Sequence, residues 1–298
     1  MVNFKSKRSK ENTVFEVTEA EELLPFLLQS FNNRSRNSVK SLLTRGQVYV
    51  NERAQTQHNY GLKPGDKVMI RWVTTLPKET GITVIYEDED VLIIDKPSGL
   101  LTIATDKERE RTAYHQLTTY IKNQDARQRL FIVHRLDKET SGVMMFAKSM
   151  RAKERMQNEW RERVTKRTYI ALVEGRVSQK QGTITSWLQE TKTHRMYSSK
   201  KTGDGQKAIT HYKVLRTSGH YSLLEVHLET GRKNQIRVHM QEMGHPIVGD
   251  KLYGAKTKAI GRLGLHAAVL AFKHPKTNQI KSFESPVPEV FFKPFKGR

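Results

Sequence analysis

The sequence predicts an α+β fold in two parts: a small module over residues 15–74 and a larger, strand-rich domain over residues 80–298. Three observations carry this. Helical periodicity is confined to short stretches, while turn-bounded runs of β-branched and aromatic residues recur along most of the chain. A polar linker containing Pro77, Thr74 to Glu79, separates two differently patterned regions. At 298 residues the chain is long enough to divide into two cores.

In the first part, Leu23, Leu24, Leu27 and Leu28 recur at helical spacing. Val39, Leu42 and Leu43 do so again after the basic Arg34-Ser35-Arg36. Gln47-Val48-Tyr49-Val50-Asn51 reads as a strand ending in a turn. Lys63-Pro64-Gly65-Asp66 is a second turn, leading into a strand from Val68 to Trp72. Residues 1–12 are basic and read as a tail without the apolar stretch of a secretory signal.

In the second part, Val84 to Tyr86 and Val91 to Ile94 are strands joined by the acidic turn Glu87-Asp88-Glu89-Asp90. Thr112 to Asn123 places Tyr114, Leu117 and Ile121 on one helical face. Phe131 to Val133 and Val143 to Ala147 read as buried strands. Met150 to Val164 reads as one helix, with Ala152, Met156, Trp160 and Val164 forming a stripe that belongs to the core. Lys166 to Val173, Lys207 to Arg216 and Tyr221 to Leu228 are strands, and Asn234 to Met243 is a helix entered through Gly231-Arg232. The basic, glycine-containing stretch Lys192 to Lys213 reads as a loop, either facing a polyanion or simply solvated.

Lys and Arg number 52 against 31 acids, a formal net charge of +21. Such an excess fits a polyanionic partner, because neutralising phosphates releases condensed counterions. No apolar run approaches the roughly 18–20 residues of a membrane span. There is no cysteine, which excludes disulfides and thiolate chemistry and points to a reducing, cytoplasmic setting. No phosphate-cradling glycine loop is present, and the eleven histidines do not fall into a zinc pattern. An enzyme of this composition is expected to work without cofactor or metal.

The run His134-Arg135-Leu136-Asp137-Lys138-Glu139-Thr140-Ser141-Gly142 joins two buried strands, so its polar side chains fall at the rim of a sheet. Taken alone it suits an ordinary turn. A hydrolase pairing Ser141 with His134 is a weaker alternative, since no third group is there to orient the histidine. The whole run, however, resembles the signature of the RluA class of pseudouridine synthases. Four further segments resemble that family in the same order: Asp95-Lys96-Pro97-Ser98-Gly99-Leu100, the strand from Lys166 to Val173, Thr230 to His239, and Gly244 to Gly254. Leu265-His266-Ala267 and Phe283 to Pro288 continue the match, which covers roughly residues 82–290.

The resemblance implies a mixed α/β catalytic domain built on a bent, mainly antiparallel sheet, and a reaction that needs no cofactor. It implies that Asp137 is the catalytic carboxylate, as base or nucleophile, that Tyr169 stacks on the target base and that Arg237 pairs with Asp137. Arg135 either enters the RNA where the base has left or contacts a phosphate. Asn234 stands where the family usually has histidine, while the segments around Lys96 and from Gly244 to Gly254 read as structural. Residues 15–74 resemble the alpha-L RNA-binding domain, although Glu22-Leu23-Leu24 departs from its usual Arg-Leu-Asp. Arg34, Arg36, Lys40 and Arg45, together with Arg232 of the second domain, are then the expected RNA contacts. The expected partner is RNA, ribosomal RNA of the large subunit ahead of transfer RNA, handled by a cytoplasmic monomer. The rival reading is a non-catalytic RNA-binding or ribosome-assembly protein that keeps the fold.

Overall fold

The computed structural model describes residues 13–31, 36–44, 47–70 and 80–295. The chain divides into two units, residues 1–76 with 119–128, and residues 77–118 with 129–298.

In the first unit, β1 (Thr13–Glu16) and β2 (Glu21–Glu22) precede α1 (Leu23–Ser30) and α2 (Arg36–Thr44). β3 (Val48–Val50), β4 (Arg53–Ala54), β5 (Gly61–Leu62) and β6 (Lys67–Ile70) follow. β1, β6, β3 and β4 form an antiparallel sheet in that order. The helical spacing read from the sequence is the buried face: Leu23, Leu24, Leu27, Val39, Leu42 and Leu43 pack with Val48, Val50, Val68 and Ile70. The two predicted turns are tied together. Asn51, in the left-handed region at φ 46°, donates from its amide to Asp66 at 2.7 Å, and its carbonyl accepts the Lys67 N–H at 2.9 Å.

The second unit contains β7 (Thr83–Glu87), β8 (Val91–Lys96), part of α3 (Ala113–Gln124), β9 (Phe131–Ile132) and β10 (Ser141–Ala147). Next come α4 (Met150–Asn158), α5 (Trp160–Arg163), β11 (Val164–Glu174), β12 (Gln181–Glu190), β13 (Met196–Ser199) and β14 (Gln206–Thr217). β15 (Tyr221–Leu228), α6 (Gln235–Glu242), β16 (Leu265–Lys273) and β17 (Ile280–Glu284) complete it. Among the described residues the sheet has eleven strands in the order β13-β12-β14-β15-β11-β16-β10-β8-β7, with β17 on β16 and β9 on β10. All pairs are antiparallel except β10 with β16. The mixed, mainly antiparallel architecture is therefore present.

Two expected elements differ. The helix predicted over Met150 to Val164 breaks at Glu159, and Val164 already belongs to β11. The break is held by Arg163, which pairs with Glu159 at 2.6 Å and donates to Asn278 at 3.0 Å. Trp160 accordingly sits at the edge of the core, half-buried. Within the basic stretch expected as a loop, Met196–Ser199 forms β13, which pairs with β12, a strand that the pattern reading missed; from Lys207 onward the chain is β14, as the strand reading of Lys207 to Arg216 expects.

Register sets up the site. Val226, Tyr169, Ala267, Gly142 and Lys96 stand opposite one another across β15, β11, β16, β10 and β8. The signature loop therefore enters β10 two strands away from Tyr169. Gly142 makes the parallel β10–β16 contact possible: its φ is +116°, and a Cβ there would lie 2.1 Å from the Ala267 carbonyl oxygen. Gly142→Ala is expected to cost about 2–4 kcal/mol of stability and to lower the thermal unfolding midpoint. An unchanged midpoint would contradict the close approach.

Candidate active site

The backbone on both sides of Asp137 is pinned. Thr102 Oγ1 donates to the Leu136 carbonyl at 2.7 Å and accepts the Leu136 N–H at 3.3 Å. Lys96 Nζ and Gly99 N–H both donate to the Lys138 carbonyl, at 3.1 and 2.9 Å, and Ser98 Oγ donates to the Glu139 carbonyl at 2.7 Å. Lys96 is 0% exposed, and its other two hydrogen bonds go to the carbonyls of Pro97 and Leu100. Burial lowers its pKa to about 8 against the opposing charges of Glu139 and Asp137. The segment read as structural thus clamps the signature loop, leaving the Asp137 side chain 26% exposed and facing a cavity.

That cavity, of about 220 Å³, is lined by Arg135, Asp137, Tyr169, Arg232, Asn234 and Arg237, with Leu136, Leu228, Ile236 and Leu265 as apolar wall. Six residues singled out from the sequence therefore meet there, contributed by the signature loop, β11, the turn before α6 and α6 itself. Among the described residues lining it, Asp137 is the one carboxylate. Burial raises the Tyr169 pKa, with Arg167 opposing the shift and Asp137 adding to it, so the phenol stays neutral.

Arg237 is oriented by the packing of α6. Ile236 and Met240, four apart, anchor the helix in the core, and Val238 packs beside Tyr253. This turns Arg237 to the cavity. Its Nη1 donates to Asp137 at 3.4 Å, a long contact. The stronger partner is Asp250, 1% exposed, which Arg237 holds through Nε at 2.7 Å and Nη2 at 2.8 Å. Burial alone would lower the Arg237 pKa, but the hydrogen bonds and charge of Asp250, with Asp137, raise it on balance. The guanidinium also lies 4.9 Å from the centre of the Tyr253 ring.

Asn234 occupies the left-handed region at φ 53°, a conformation that asparagine tolerates. Its amide donates to Tyr253 Oη at 3.1 Å, and its carbonyl accepts from Arg237 at 3.2 Å. Asn234 therefore holds Arg237 in the place where the family usually has histidine. Asp250 and Tyr253 were missed as site residues because the segment containing them read only as structural. Their resemblance-bearing sequence was the available signal.

Arg135 is exposed at the cavity rim, and Arg232, half-buried, donates from Nε to the Lys207 carbonyl at 3.2 Å. Arg36 is exposed on α2 of the other unit, where Lys40 is half-buried; Arg34 and Arg45 lie outside the described residues. The Ser141–His134 reading fails. His134 Nε2 accepts the Met145 N–H at 3.0 Å and burial takes its pKa to about 3, while buried Ser141 bonds to His266 at 2.8 Å and Arg262 at 2.7 Å.

Among the described residues, Asp88, Asp90 and His274 could face one cation. His274 already bonds to Asp88 through Nε2 at 3.0 Å and accepts the Lys276 and Thr277 N–H groups at Nδ1, both at 3.2 Å, which leaves no lone pair for a metal. No helix among the described residues is long and apolar enough to cross a membrane.

A protein-family model described as RNA pseudouridylate synthase matches residues 90–242. The chain is 36% identical over 286 residues to a protein of Bacillus subtilis strain 168 named as the uncharacterized RNA pseudouridine synthase YlyB, covering 93% of this chain and 94% of that one. An uncharacterized RNA pseudouridine synthase of Aquifex aeolicus is 34% identical over 293 residues, covering 92% of each chain. The fold resembles that of human RNA pseudouridylate synthase domain containing 4, with a TM-score of 0.58 at 24% identity over 70% of this chain and 89% of that one. The family match includes the signature loop, Tyr169 and Arg237, and the relatives extend it over nearly the whole length: the chain belongs to the RNA pseudouridylate synthase family, isomerases that act on uridines in RNA.

Proposed function

We propose that Asp137 carries the isomerisation of a uridine flipped into the 220 Å³ cavity, with Tyr169 against the base and the Arg237 guanidinium beside the carboxylate. The observation that carries this reading is the clamped loop: its backbone is fixed while the carboxylate faces a cavity walled by an aromatic ring and a guanidinium. In the reaction the N1–C1′ bond breaks, the uracil turns, and a C5–C1′ bond forms. The C5 proton leaves and N1 gains one, so no redox partner is required. A fixed carboxylate can serve as nucleophile at C1′ or as base in such a sequence. Unstacking the uridine costs a few kcal/mol, which an aromatic wall partly offsets.

Residues 80–298 form the catalytic domain in this reading, and residues 15–74 an alpha-L RNA-binding domain. The substrate is large-subunit ribosomal RNA, bound by a cytoplasmic monomer through Arg135 and Arg232 near the cavity and through Arg34, Arg36, Lys40 and Arg45 of the small domain. A second RNA-binding domain supports a large structured substrate, since two linked contacts raise effective concentration. Mapping pseudouridines in total RNA from cells with and without the gene tests this. Loss of a site in large-subunit ribosomal RNA is expected, and loss confined to transfer RNA would overturn the substrate.

The small domain has its own test. Residues 1–74 hold 12 Lys/Arg and 7 acids, a net of +5, against +16 for residues 75–298. Replacing Arg36 and Lys40 together by glutamine is expected to weaken RNA binding several-fold and to flatten its salt dependence by about one to two units of log–log slope. Single-turnover rates on saturated RNA should not change. An unaltered salt slope would show that α2 does not touch RNA.

A further inference from the structure

We propose that a second cavity, adjoining the one that holds Asp137, receives the base and phosphate of a nucleotide neighbouring the target uridine, with Trp160 as its stacking surface. The inference rests on reading the Asp137 cavity as the uridine pocket. The second cavity is larger, about 590 Å³, and shares Arg135, Tyr169, Leu228, Gly231 and Arg232 with the first. A strand whose uridine enters one cavity therefore passes the mouth of the other.

Its chemistry suits a nucleotide. Trp160 lies 5.1 Å from the His134 ring, and the Arg167 guanidinium stands 5.8 Å from the Trp160 ring centre. The two ring planes are tilted by 45°, and burial keeps His134 neutral, so the pair offers an uncharged aromatic wall on which a base can stack. Three carboxylates line the cavity against four arginines, Arg135, Arg161, Arg167 and Arg232. Glu159 is paired with Arg163 at 2.6 Å and Glu229 with His211 at 2.6 Å, while Glu162 is exposed. Arg167 donates only to the carbonyls of Leu228 and Glu229, both at 3.1 Å, and among the described residues no carboxylate pairs with it. With Arg161 also lining the cavity, its excess positive charge is free to meet a phosphate.

The test uses the full-length protein and two ten-nucleotide probes, an oligouridylate and its abasic ribose-phosphate counterpart. The chain has three tryptophans, so fluorescence can be assigned by substitution. Oligouridylate is expected to quench the wild type, the abasic chain to leave it bright, and Trp160→Phe to remove most of the quenching. Trp160→Ala should bind oligouridylate about 10-fold more weakly, equivalent to about 1.4 kcal/mol, with abasic binding unchanged. Trp160→Phe keeps an aromatic ring in the same packing and guards against loss of fold in the alanine variant. Equal quenching in wild type and Trp160→Phe, or an equal loss of affinity for both probes, would overturn the subsite. Quenching at Trp160 together with full activity in Asp137→Asn would instead sink the reading of the first cavity and leave the second standing.

Discussion

Asp137→Asn is expected to leave a folded protein that binds RNA about as well as the wild type and makes pseudouridine at least about 10³-fold more slowly. Asparagine has the same shape but can neither take a proton nor act as a carboxylate nucleophile. The loop should not notice the change, because its position depends on backbone groups of Leu136, Lys138 and Glu139 bonded to Thr102, Lys96, Gly99 and Ser98. The carboxylate's contact with Arg237 is long at 3.4 Å, and Arg237 keeps its bidentate bond to Asp250 without it. Stability should therefore shift by no more than about 1 kcal/mol. Release of tritium from C5-labelled uridine, with RNA affinity measured in parallel, checks both halves. Turnover near wild type would remove Asp137 from the chemistry. A collapse of affinity would make it a binding residue, as the rival non-catalytic reading requires.

Arg237→Leu is expected to produce the largest stability loss of any single change at the site. It leaves Asp250, 1% exposed, as a buried charge without its partner, and breaking such a pair typically costs about 3–5 kcal/mol. Activity should fall as well, since Asp137 loses the guanidinium beside it. Pairing Arg237 with Asp137 alone would suggest that Asp137→Asn/Arg237→Leu regains the lost stability. The structure reverses that expectation: the double variant keeps the stranded Asp250 and should unfold as easily as Arg237→Leu. Arg237→Leu/Asp250→Leu should recover most of the stability and none of the activity. Denaturant unfolding of the four proteins decides the matter. Recovery by Asp137→Asn in place of Asp250→Leu would show that the pairing has been assigned to the wrong carboxylate.

The strands and helices that the sequence made legible are those whose signal is local. Leu23, Leu27, Val39 and Leu43 repeat at helical spacing and are buried; Val91 to Ile94 and Val143 to Ala147 are continuous apolar runs and become fully covered strands. The misread elements depend on partners far along the chain. The stripe Ala152, Met156, Trp160, Val164 continues at helical spacing, yet the backbone turns at Glu159, where Arg163 reaches Asn278. β12 has a mixed, half-polar pattern and becomes a strand by pairing with β13 and β14.

By itself the sequence made legible the α+β class and the excess of positive charge, because periodicity and charge are local, and its motifs carried the family resemblance that implied Asp137, Tyr169 and Arg237 as one cluster. Only the tertiary structure decided what holds each of these in place: the Lys96 clamp on the signature loop, the Asp250 grip on Arg237, the Asn234 bridge to Tyr253 and the second cavity at Trp160. Each joins side chains brought together by strand register and helix packing, and a hydrogen bond's geometry is set by those positions in space rather than by separation along the chain.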